Sequence, residues 1–342
     1  MAQMTKSIAT LGELMMRLKP PGKQRLRQAH ELGICFGGSE ANVATSLAQW
    51  GHSVRFITGL PESDLGSRAI SDLNYHGVDT RFILRNARRL GLYFLEEGAD
   101  LRSGCVIYDR KDTAFSSLKP QDVDWDNALS DVDWFHISGI TPAINAQTLL
   151  LAEHSIAEAR QRNIHISLDL NFRERLWAYG VRPADILPNL VEQCDTLIAG
   201  RGDCINCLEI DGDGENGSNE WAESLACKLQ KRFSNLTHIA LTIRASSSAD
   251  CHNWRAYIQN PSDQVHSRSF QLSNIVDRVG SGDAFCAGII HSIGTKKSLD
   301  DVVNFGAMAA VLKHSIIGDF NHVSVGEIED LMRSQSNGRL RR

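Results

Sequence analysis

The chain has 342 residues, which is enough for one large α/β domain with a small accessory element, or for two domains. Its 36 basic and 41 acidic side chains give a net charge of −5, so the charge balance gives no reason to expect a nucleic-acid partner or an anionic membrane surface. No apolar run reaches the roughly 18 residues of a bilayer span, and the first residues lack the apolar core of a signal peptide, so we expect a cytoplasmic protein without membrane contact.

Predicted strands and helices alternate along most of the chain. Hydrophobic spacing predicts strands over residues 7–12, 53–58, 134–138, 164–169, 196–199, 238–243 and 273–277. It predicts helices over residues 39–50, 65–76, 146–162, 219–233 and 284–293. Such alternation indicates an α/β fold with a doubly wound, mostly parallel sheet and helices on both of its faces.

Two segments, residues 13–36 and 90–118, interrupt this alternation with short extended stretches. They suit a small antiparallel sheet laid over one edge of the main sheet, where it would act as a lid that excludes water. No low-complexity linker divides the chain, so we expect a single domain over residues 5–333 and a flexible tail over 334–342. The open edge of a lid sheet offers a pairing surface, which favours a homo-oligomer.

The segment Gly37-Gly-Ser-Glu-Ala-Asn42 places two glycines just before a predicted helix. One interpretation is a plain strand-to-helix turn with Ser39 as the helix cap. The other is a close approach of the backbone at Gly38 to a small polar ligand, with Asn42 one turn into the helix.

Polar residues also follow the strand that ends near Asp169. Because the carboxyl ends of strands in such sheets face the ligand crevice, Asn171 and Arg173 would project into it. Arg110 comes from the expected lid, and two guanidinium groups at one place would suit a carboxylate or phosphate ligand. The alternative is that each arginine is a solvated surface charge.

Residues 242–250 follow another strand and are rich in small hydroxyl side chains. They predict either a flexible turn or a loop over nucleotide phosphates, with Thr242, Arg244 and Ser246 as donors. No Walker A glycine-lysine sequence is present, which excludes a P-loop kinase.

Two other local patterns are interpreted as structural. Cys204 and Cys207 form the only CxxC pair among eight cysteines, which favours free, mostly buried thiols, with a structural zinc site as the alternative. The GxGxxG string within residues 211–217 is acidic and far from the first strand, so it predicts a solvated loop and not a dinucleotide site.

The nine residues from Asp277 to Phe285, Asp-Arg-Val-Gly-Ser-Gly-Asp-Ala-Phe, are the most informative stretch. Glycines permit a tight turn, and the helix that follows leaves its first amide N–H groups free for an anion. A carboxylate at Asp283 would repel phosphate, but it makes sense as a base that takes a proton from a hydroxyl while the N–H groups hold the transferred charge. The alternative is a glycine turn with an N-terminal aspartate cap.

These segments, in this order, resemble the ribokinase/pfkB family of carbohydrate kinases from about Ile8 to Met332. The first glycine segment resembles one family signature and the Asp277–Phe285 segment resembles the other. Within the family, the chain is most similar to the 2-keto-3-deoxygluconate kinases. That similarity rests on the segments 12–17, 91–94, 106–110, 138–140, 169–177 and 313–321, and on the arginine at position 278.

The resemblance implies that ATP phosphorylates the terminal hydroxyl of 2-keto-3-deoxygluconate, giving ADP and the 6-phosphate. It implies that Asp283 takes the hydroxyl proton and that Mg²⁺ bridges the ATP phosphates. The other implied roles are an anion hole at Gly280, Ser281 and Gly282, a carboxylate grip by Arg110 and Arg173, hydrogen bonds from Tyr93 and Tyr108, and a sugar pocket at Gly38 and Asn42. A kinase for a neutral sugar would have little use for two buried arginines, which favours an acid.

The chain also departs from the family pattern. The usual Asn-x-x-Glu element is replaced by residues 200–203, where Asp203 would support Mg²⁺ through water, unless the metal depends on ATP alone. Residues 245–248 replace a glycine-rich nucleotide loop. Arg278 replaces a threonine beside a monovalent-cation site and could supply that charge itself, so K⁺ dependence is not expected. Two alternatives remain: a kinase for a fructose-like sugar or a nucleoside, and a non-catalytic sugar-acid sensor with the same fold.

Overall fold

The computed structural model describes residues 5–246 and 248–333, so the tail expected over 334–342 lies outside it. Its strands are β1 (Ser7–Leu11), β2 (Met15–Lys19), β3 (Gly33–Gly37), β4 (Ser53–Pro61), β5 (Ile83–Asn86), β6 (Gly91–Glu96), β7 (Cys105–Asp109), β8 (Trp134–Ser138), β9 (His165–Asp169), β10 (Thr196–Gly200), β11 (His238–Ser246), β12 (Cys251–Gln259), β13 (Gln264–His266) and β14 (Phe270–Ser273).

The helices are α1 (Ser39–Gln49), α2 (Asp64–Tyr75), α3 (Trp125–Ala128), α4 (Ile140–Ala143), α5 (Ala146–Gln161), α6 (Pro183–Val191), α7 (Arg201–Leu208), α8 (Asn219–Arg232), α9 (Ser281–Gly294), α10 (Leu299–Lys313) and α11 (Val325–Arg333). Within the described ranges, none of them is long and apolar enough to cross a membrane.

A ten-stranded sheet forms the body of the molecule, in the order β13-β12-β11-β10-β9-β8-β1-β4-β5, with β14 paired to β12. The strands from β11 across to β5 run parallel, and β12 is antiparallel to its neighbours. Helices α5 to α8 pack one apolar core on one face, while α1, α2 and α9 to α11 pack the other. The predicted doubly wound, mostly parallel sheet with helices on both faces is therefore confirmed.

A second, four-stranded sheet has the order β3-β2-β6-β7. Its outer pairs are antiparallel, but the central pair, β2 and β6, is parallel, so the prediction of a wholly antiparallel sheet is wrong. The reason is connectivity: the chain passes through α1, β4, α2 and β5 between β3 and β6, and a long crossover of this kind permits a parallel pair. Phe115 and Leu118, which the sequence analysis grouped with this sheet, instead pack in the core of the main sheet.

The strand predicted over residues 273–277 is also wrong, because β14 ends at Ser273. Asn274 has a φ of 58°, which turns the chain out of the extended conformation. The amides of Val276 and Asp277 then donate to the carbonyl of His314 and not to a neighbouring strand. This turn brings Asp277 against the end of α10, next to the glycines that begin α9.

Candidate active site

An open cleft of about 1030 Å³ lies at the carboxyl ends of β9 and β10, between the main sheet, the small sheet and the start of α9. The side chain of Ser246 lies outside the described part of the structure. The other predicted site residues all line this cleft: Gly38, Asn42, Tyr93, Tyr108, Arg110, Arg173, Asp203, Thr242, Arg244, Gly280, Ser281, Gly282 and Asp283.

Asp283 lies in the first turn of α9 and is held from the opposite side by the start of α1. Its Oδ1 accepts from the hydroxyl of Ser39 at 2.9 Å, and its Oδ2 accepts from Nδ2 of Asn42 at 2.6 Å. Burial raises the pKa of Asp283, while these two hydrogen bonds and the charge of Arg173 oppose that rise. The carboxylate is thus oriented by two donors and made more basic than an exposed aspartate.

Ser39 therefore does not cap α1, as one interpretation of the sequence had it. The cap position is Gly38, and Ser39 is the first helical residue. A Cβ on Gly38 would collide with the carbonyl oxygen of Glu13, so glycine allows the start of α1 to approach the root of the small sheet closely.

The turn before α9, residues 278–282, is called the glycine turn below. Gly280 has a φ of 81°, and a Cβ there would collide with the carbonyl of Asp319, so both conformation and space require glycine. At Gly282 a Cβ would meet no atom within 4 Å, so a ligand can approach the backbone. Among the residues that the structure describes, none accepts the Gly282 N–H, which leaves this helix-start donor available to an anion.

Arg173, Arg244 and Arg278 are three of the six described arginines that line the cleft. Within residues 5–246 and 248–333, none of the three forms an ion pair. The pKa of Arg244 is lowered, mainly because its guanidinium is desolvated and also because the positive charges of Arg278 and Arg173 lie nearby. Guanidinium groups that repel one another in this way gain most from a polyanionic ligand.

Arg110 is in a different state from these three. It is buried, its Nε donates to Oε2 of Glu13 at 2.8 Å, and its Nη2 lies 2.5 Å from the same oxygen, so the two side chains form an ion pair. It also lies over the ring of Tyr108, 5.6 Å from the ring centroid. The expectation of two buried arginines is thus wrong, since Arg173 is exposed in the cleft and the charge of Arg110 is largely balanced by Glu13.

Tyr93 packs beside Tyr108, with 6.1 Å between the ring centroids. Its hydroxyl donates to Oδ2 of Asp319 at 2.5 Å. The proton of this hydroxyl is therefore committed to a protein carboxylate, and only its oxygen lone pairs are left for a ligand.

Backbone amides that donate to Asp203 limit how this carboxylate could bind a divalent metal. Asp203 accepts from the amides of Gly200 at 2.7 Å and Phe172 at 2.9 Å, so each of its oxygens already has one partner. The described residues contain no group of three or more side chains that could hold a metal. This donor set fits a metal carried by nucleotide phosphates, with Asp203 reaching it through water. Cys204 and Cys207 are both buried and form no disulfide with another described cysteine.

The sequence predicted Asn171 at the cleft, but not the contacts that it and its neighbours make there. Asn171 has a left-handed φ of 39°, and its Nδ2 donates to the hydroxyl of Ser39 at 2.9 Å, supporting the residue that holds Asp283. Asp169 lies beside it, and burial together with the charges of Asp203 and Asp283 raises its pKa. Position after a strand end was the signal that predicted Asn171 at the cleft. Glu13 and Asp319 lie in segments that carry the family resemblance, but no pattern indicated which partners their carboxylates have.

A model of the pfkB family of carbohydrate kinases matches residues 5–320. The chain is 30% identical to a 2-dehydro-3-deoxygalactonokinase of Haloferax volcanii over 98% of its own length and 99% of that protein. It superposes with a TM-score of 0.92 and 35% identity on a 2-dehydro-3-deoxygluconokinase of Thermotoga maritima, covering 96% of this chain and 100% of that one. A candidate ribokinase II of E. coli, solved with ATP and Mg²⁺, shares the fold at a TM-score of 0.79 and 19% identity, over 96% and 99% of the two chains.

Proposed function

Because the chain belongs to the pfkB family of carbohydrate kinases, we propose that it phosphorylates the terminal hydroxyl of 2-keto-3-deoxygluconate, with ATP as the donor. Membership makes the protein a sugar kinase, a phosphotransferase that acts on an alcohol. The names of its relatives, which are kinases for 2-dehydro-3-deoxy sugar acids, support the narrower choice of acceptor. The proposal places the reaction in the cytoplasm, where ATP is available.

The observation that carries the proposal is the position of Asp283 between oriented donors and the glycine turn. The terminal hydroxyl oxygen of the acceptor attacks the γ-phosphorus, its proton passes to the Asp283 carboxylate, and the bond between the γ-phosphorus and the ADP oxygen breaks. The N–H groups of Gly280, Ser281 and Gly282 hold the negative charge of the transferred group. The products are ADP and the sugar-acid 6-phosphate.

The acceptor end of the cleft is assigned to the small sheet and the start of α1. We assign Arg173 to the acceptor carboxylate, because its guanidinium forms no ion pair with a carboxylate of the described residues. Arg110 and Tyr108 contribute to the same wall, and Tyr93 offers an oxygen lone pair. Gly38 and Asn42 complete the pocket at the reacting end.

We assign the binding of ATP, the phosphoryl donor, to the part of the cleft beside the carboxyl-terminal half of β11. Thr242, Arg244 and Ser246 would contact the nucleotide phosphates, and Mg²⁺ bound to those phosphates would neutralise part of their charge. Arg278 adds a fixed positive charge on the same side of the cleft, so we expect activity without added K⁺.

The test is ADP release from the purified protein, measured with ATP and a panel of acceptors: the gluconate- and galactonate-derived keto-deoxy acids, fructose, ribose and adenosine. The proposal expects the highest kcat/KM with one of the two acids, which differ in the configuration of one hydroxyl. If a neutral sugar or a nucleoside gave the highest kcat/KM, the proposed sugar-acid acceptor would be wrong and that compound would take its place. Binding of an acid without any ADP release would instead indicate a sensor.

Loss of the Ser39 hydroxyl should move the acid limb of the pH profile of kcat/KM to higher pH. Asp283 accepts a proton only when ionised, burial raises its pKa, and the hydrogen bond from Ser39 opposes that rise. Ser39→Ala removes a donor that stabilises the carboxylate, so the pKa of Asp283 should rise further. Ser71→Ala, on the exposed side of α2, is the matched control. An acid limb that stays in place in Ser39→Ala would contradict Asp283 as the base.

We propose that the chain forms a homodimer in which a second copy packs against the outer face of the small sheet. Register places Ile34, Leu18, Phe94 and Ile107 side by side across all four strands. Ile34 is 63% exposed and Ile107 is 49% exposed, so the row is an open apolar surface. Sedimentation should give twice the chain mass of 37.8 kDa, and Ile107→Glu should give the monomer. Leu150→Glu, on the opposite side at α5, should stay dimeric; a monomeric wild type would refute the pairing.

A further inference from the structure

A buried cluster of charges joins the small sheet to the glycine turn. Arg17 lies on β2 and is only 1% exposed. Its Nη2 donates to Oδ2 of Asp277 at 2.5 Å, and its Nη1 donates to Oδ1 of Asp319 at 2.9 Å. Both carboxylates are buried as well, so one guanidinium bridges two anions in the interior of the protein.

These carboxylates fix the glycine turn. Oδ1 of Asp277 accepts from the amide of Val279 at 3.1 Å, and its Oδ2 accepts from the amide of Gly318 at 3.1 Å. The carbonyl of Asp319 occupies the space that a Cβ on Gly280 would need. A shift of either carboxylate would therefore shift the amides that begin α9.

Asp319 also connects the cluster to a second strand of the small sheet. Its Oδ2 accepts the hydroxyl proton of Tyr93 on β6, while Arg17 reaches it from β2. Two neighbouring strands of this sheet are thus attached to the same carboxylate, which itself lines the cleft. Arg17 is not among the residues that line the cleft.

Stability alone does not account for such a cluster. Buried ion pairs are commonly no more stabilising than apolar side chains of similar volume, because desolvation offsets the attraction. The geometry needs arginine in particular, since its planar fork reaches two carboxylates at once and an ammonium group does not. Lys313 is buried nearby and donates to the carbonyl of Ile316 at 3.0 Å, which supplies a second cation beside the two anions.

We propose that Arg17 is a positioning residue that holds the small sheet and the glycine turn as one rigid unit. The sheet that covers the acceptor and the N–H groups that receive the phosphoryl group then keep a fixed relative position. This inference rests on the proposed kinase function, but it does not depend on which acceptor the protein uses.

The first test is Arg17→Lys, assayed with whichever acceptor gives the wild type its highest turnover. We expect kcat to fall about 10- to 100-fold, the size of effect that small misplacements of reacting groups produce, with little change in either KM. The matched control is Lys19→Met on the same strand, which removes a pair with Glu97 away from the glycine turn. It should keep kcat within about twofold of the wild type, as partly exposed pairs contribute little. Equal losses of kcat in the two variants would overturn the proposal.

The second test is a double-mutant cycle between Arg17→Lys and Tyr93→Phe. If both side chains act through Asp319, Tyr93→Phe should lower kcat on its own and have much less effect when Arg17 is already replaced. A purely structural role would change thermal stability without this pattern in kcat. A hydroxyl that only contacts the acceptor would raise the acceptor KM and leave kcat unchanged, with additive effects, and this result would overturn the proposal.

Tyr93→Phe also keeps the proposal testable if Arg17→Lys does not fold, because its own split between kcat and KM separates the two roles. An incorrect choice of acceptor would appear in the wild type as low turnover with both acids. It would leave the ratio of variant to wild type on the best acceptor unchanged. Failure of the proposed function and failure of the Arg17 assignment are therefore distinguishable.

Discussion

Asp283→Asn is expected to lower kcat by about 10²-fold or more while leaving the KM for the acceptor nearly unchanged, in line with the size of general-base effects. The amide matches the carboxylate in shape and keeps an oxygen for the Ser39 hydroxyl, although its NH₂ group then faces Nδ2 of Asn42 and cannot accept from it. The loss then falls on the step in which the acceptor hydroxyl gives up its proton. Steady-state kinetics with the best acceptor, at saturating ATP, measure it directly.

The same substitution should change the stability of the protein only slightly. Burial raises the pKa of Asp283, which means that the charged form is disfavoured in the folded state, and a neutral amide removes that cost. The amide also gives up the hydrogen bond from Asn42, so the two effects on stability oppose each other. A Tm close to that of the wild type, together with a large fall in kcat, would show that the activity is lost without loss of the fold.

Asp64→Asn is the matched control, because Asp64 also lies in the first turn of a helix but is exposed and outside the cleft. It should leave kcat and both KM values at wild-type levels. Full activity in Asp283→Asn would refute the assignment of the base. A loss of kcat that comes with a large fall in Tm would point to unfolding instead.

Much of the fold could be predicted because parallel strands and their helices leave different local patterns. The strand over residues 134–138 is buried throughout, as both faces of the sheet are covered, and it has the predicted limits in β8. The helix over residues 219–233 reappears as α8, with Ser218 accepting the amide proton of Trp221 as its cap. Both features depend on neighbours in sequence, which a single chain reveals.

The errors arise where distant segments decide the outcome. One interpretation of the sequence gave Ser39 a cap role because a hydroxyl before a helix usually has one, yet its partner is Asp283, 244 positions away. The strand over residues 273–277 had suitable apolar residues, but the carbonyl of His314 takes its amides. Propensity is outweighed by tertiary contacts in both cases.

The candidate site was predicted only where local sequence motifs determine it. Two glycine motifs indicated that Asn42 and Asp283 line one cleft, because each motif carries its own turn chemistry. The hydrogen bond between Asn42 and Asp283, and the role of Asp319, could be recognised only from the folded structure. Arg17 and Asp319, for example, lie 302 positions apart in the sequence. Tyr93 lines the cleft, as its implied role requires, but no sequence pattern indicates that its hydroxyl is bound to a carboxylate.

Arg173→Ala is expected to raise the KM for the sugar acid about 10-fold or more, equivalent to about 1.4 kcal/mol of lost binding free energy. The only side-chain hydrogen bond of Arg173 within the described chain goes from Nη1 to the carbonyl of Phe172 at 2.9 Å. Its remaining donors point to no protein carboxylate, so they are available to the carboxylate of a ligand. A neutral counterpart of the acid, in which an amide replaces the carboxylate, should bind equally weakly to both forms.

Arg173→Lys separates charge from geometry. An ammonium group keeps the attraction but not the fork, so the KM for the acid should lie between those of the wild type and Arg173→Ala. Arg182→Ala is the control, since Arg182 is exposed and paired with Asp185 outside the cleft. A KM that rises for ATP and not for the acid would assign the guanidinium to the nucleotide phosphates, together with Arg244 and Arg278. Because Arg110 is already balanced by Glu13, that result would remove the strongest physical argument for an acidic acceptor.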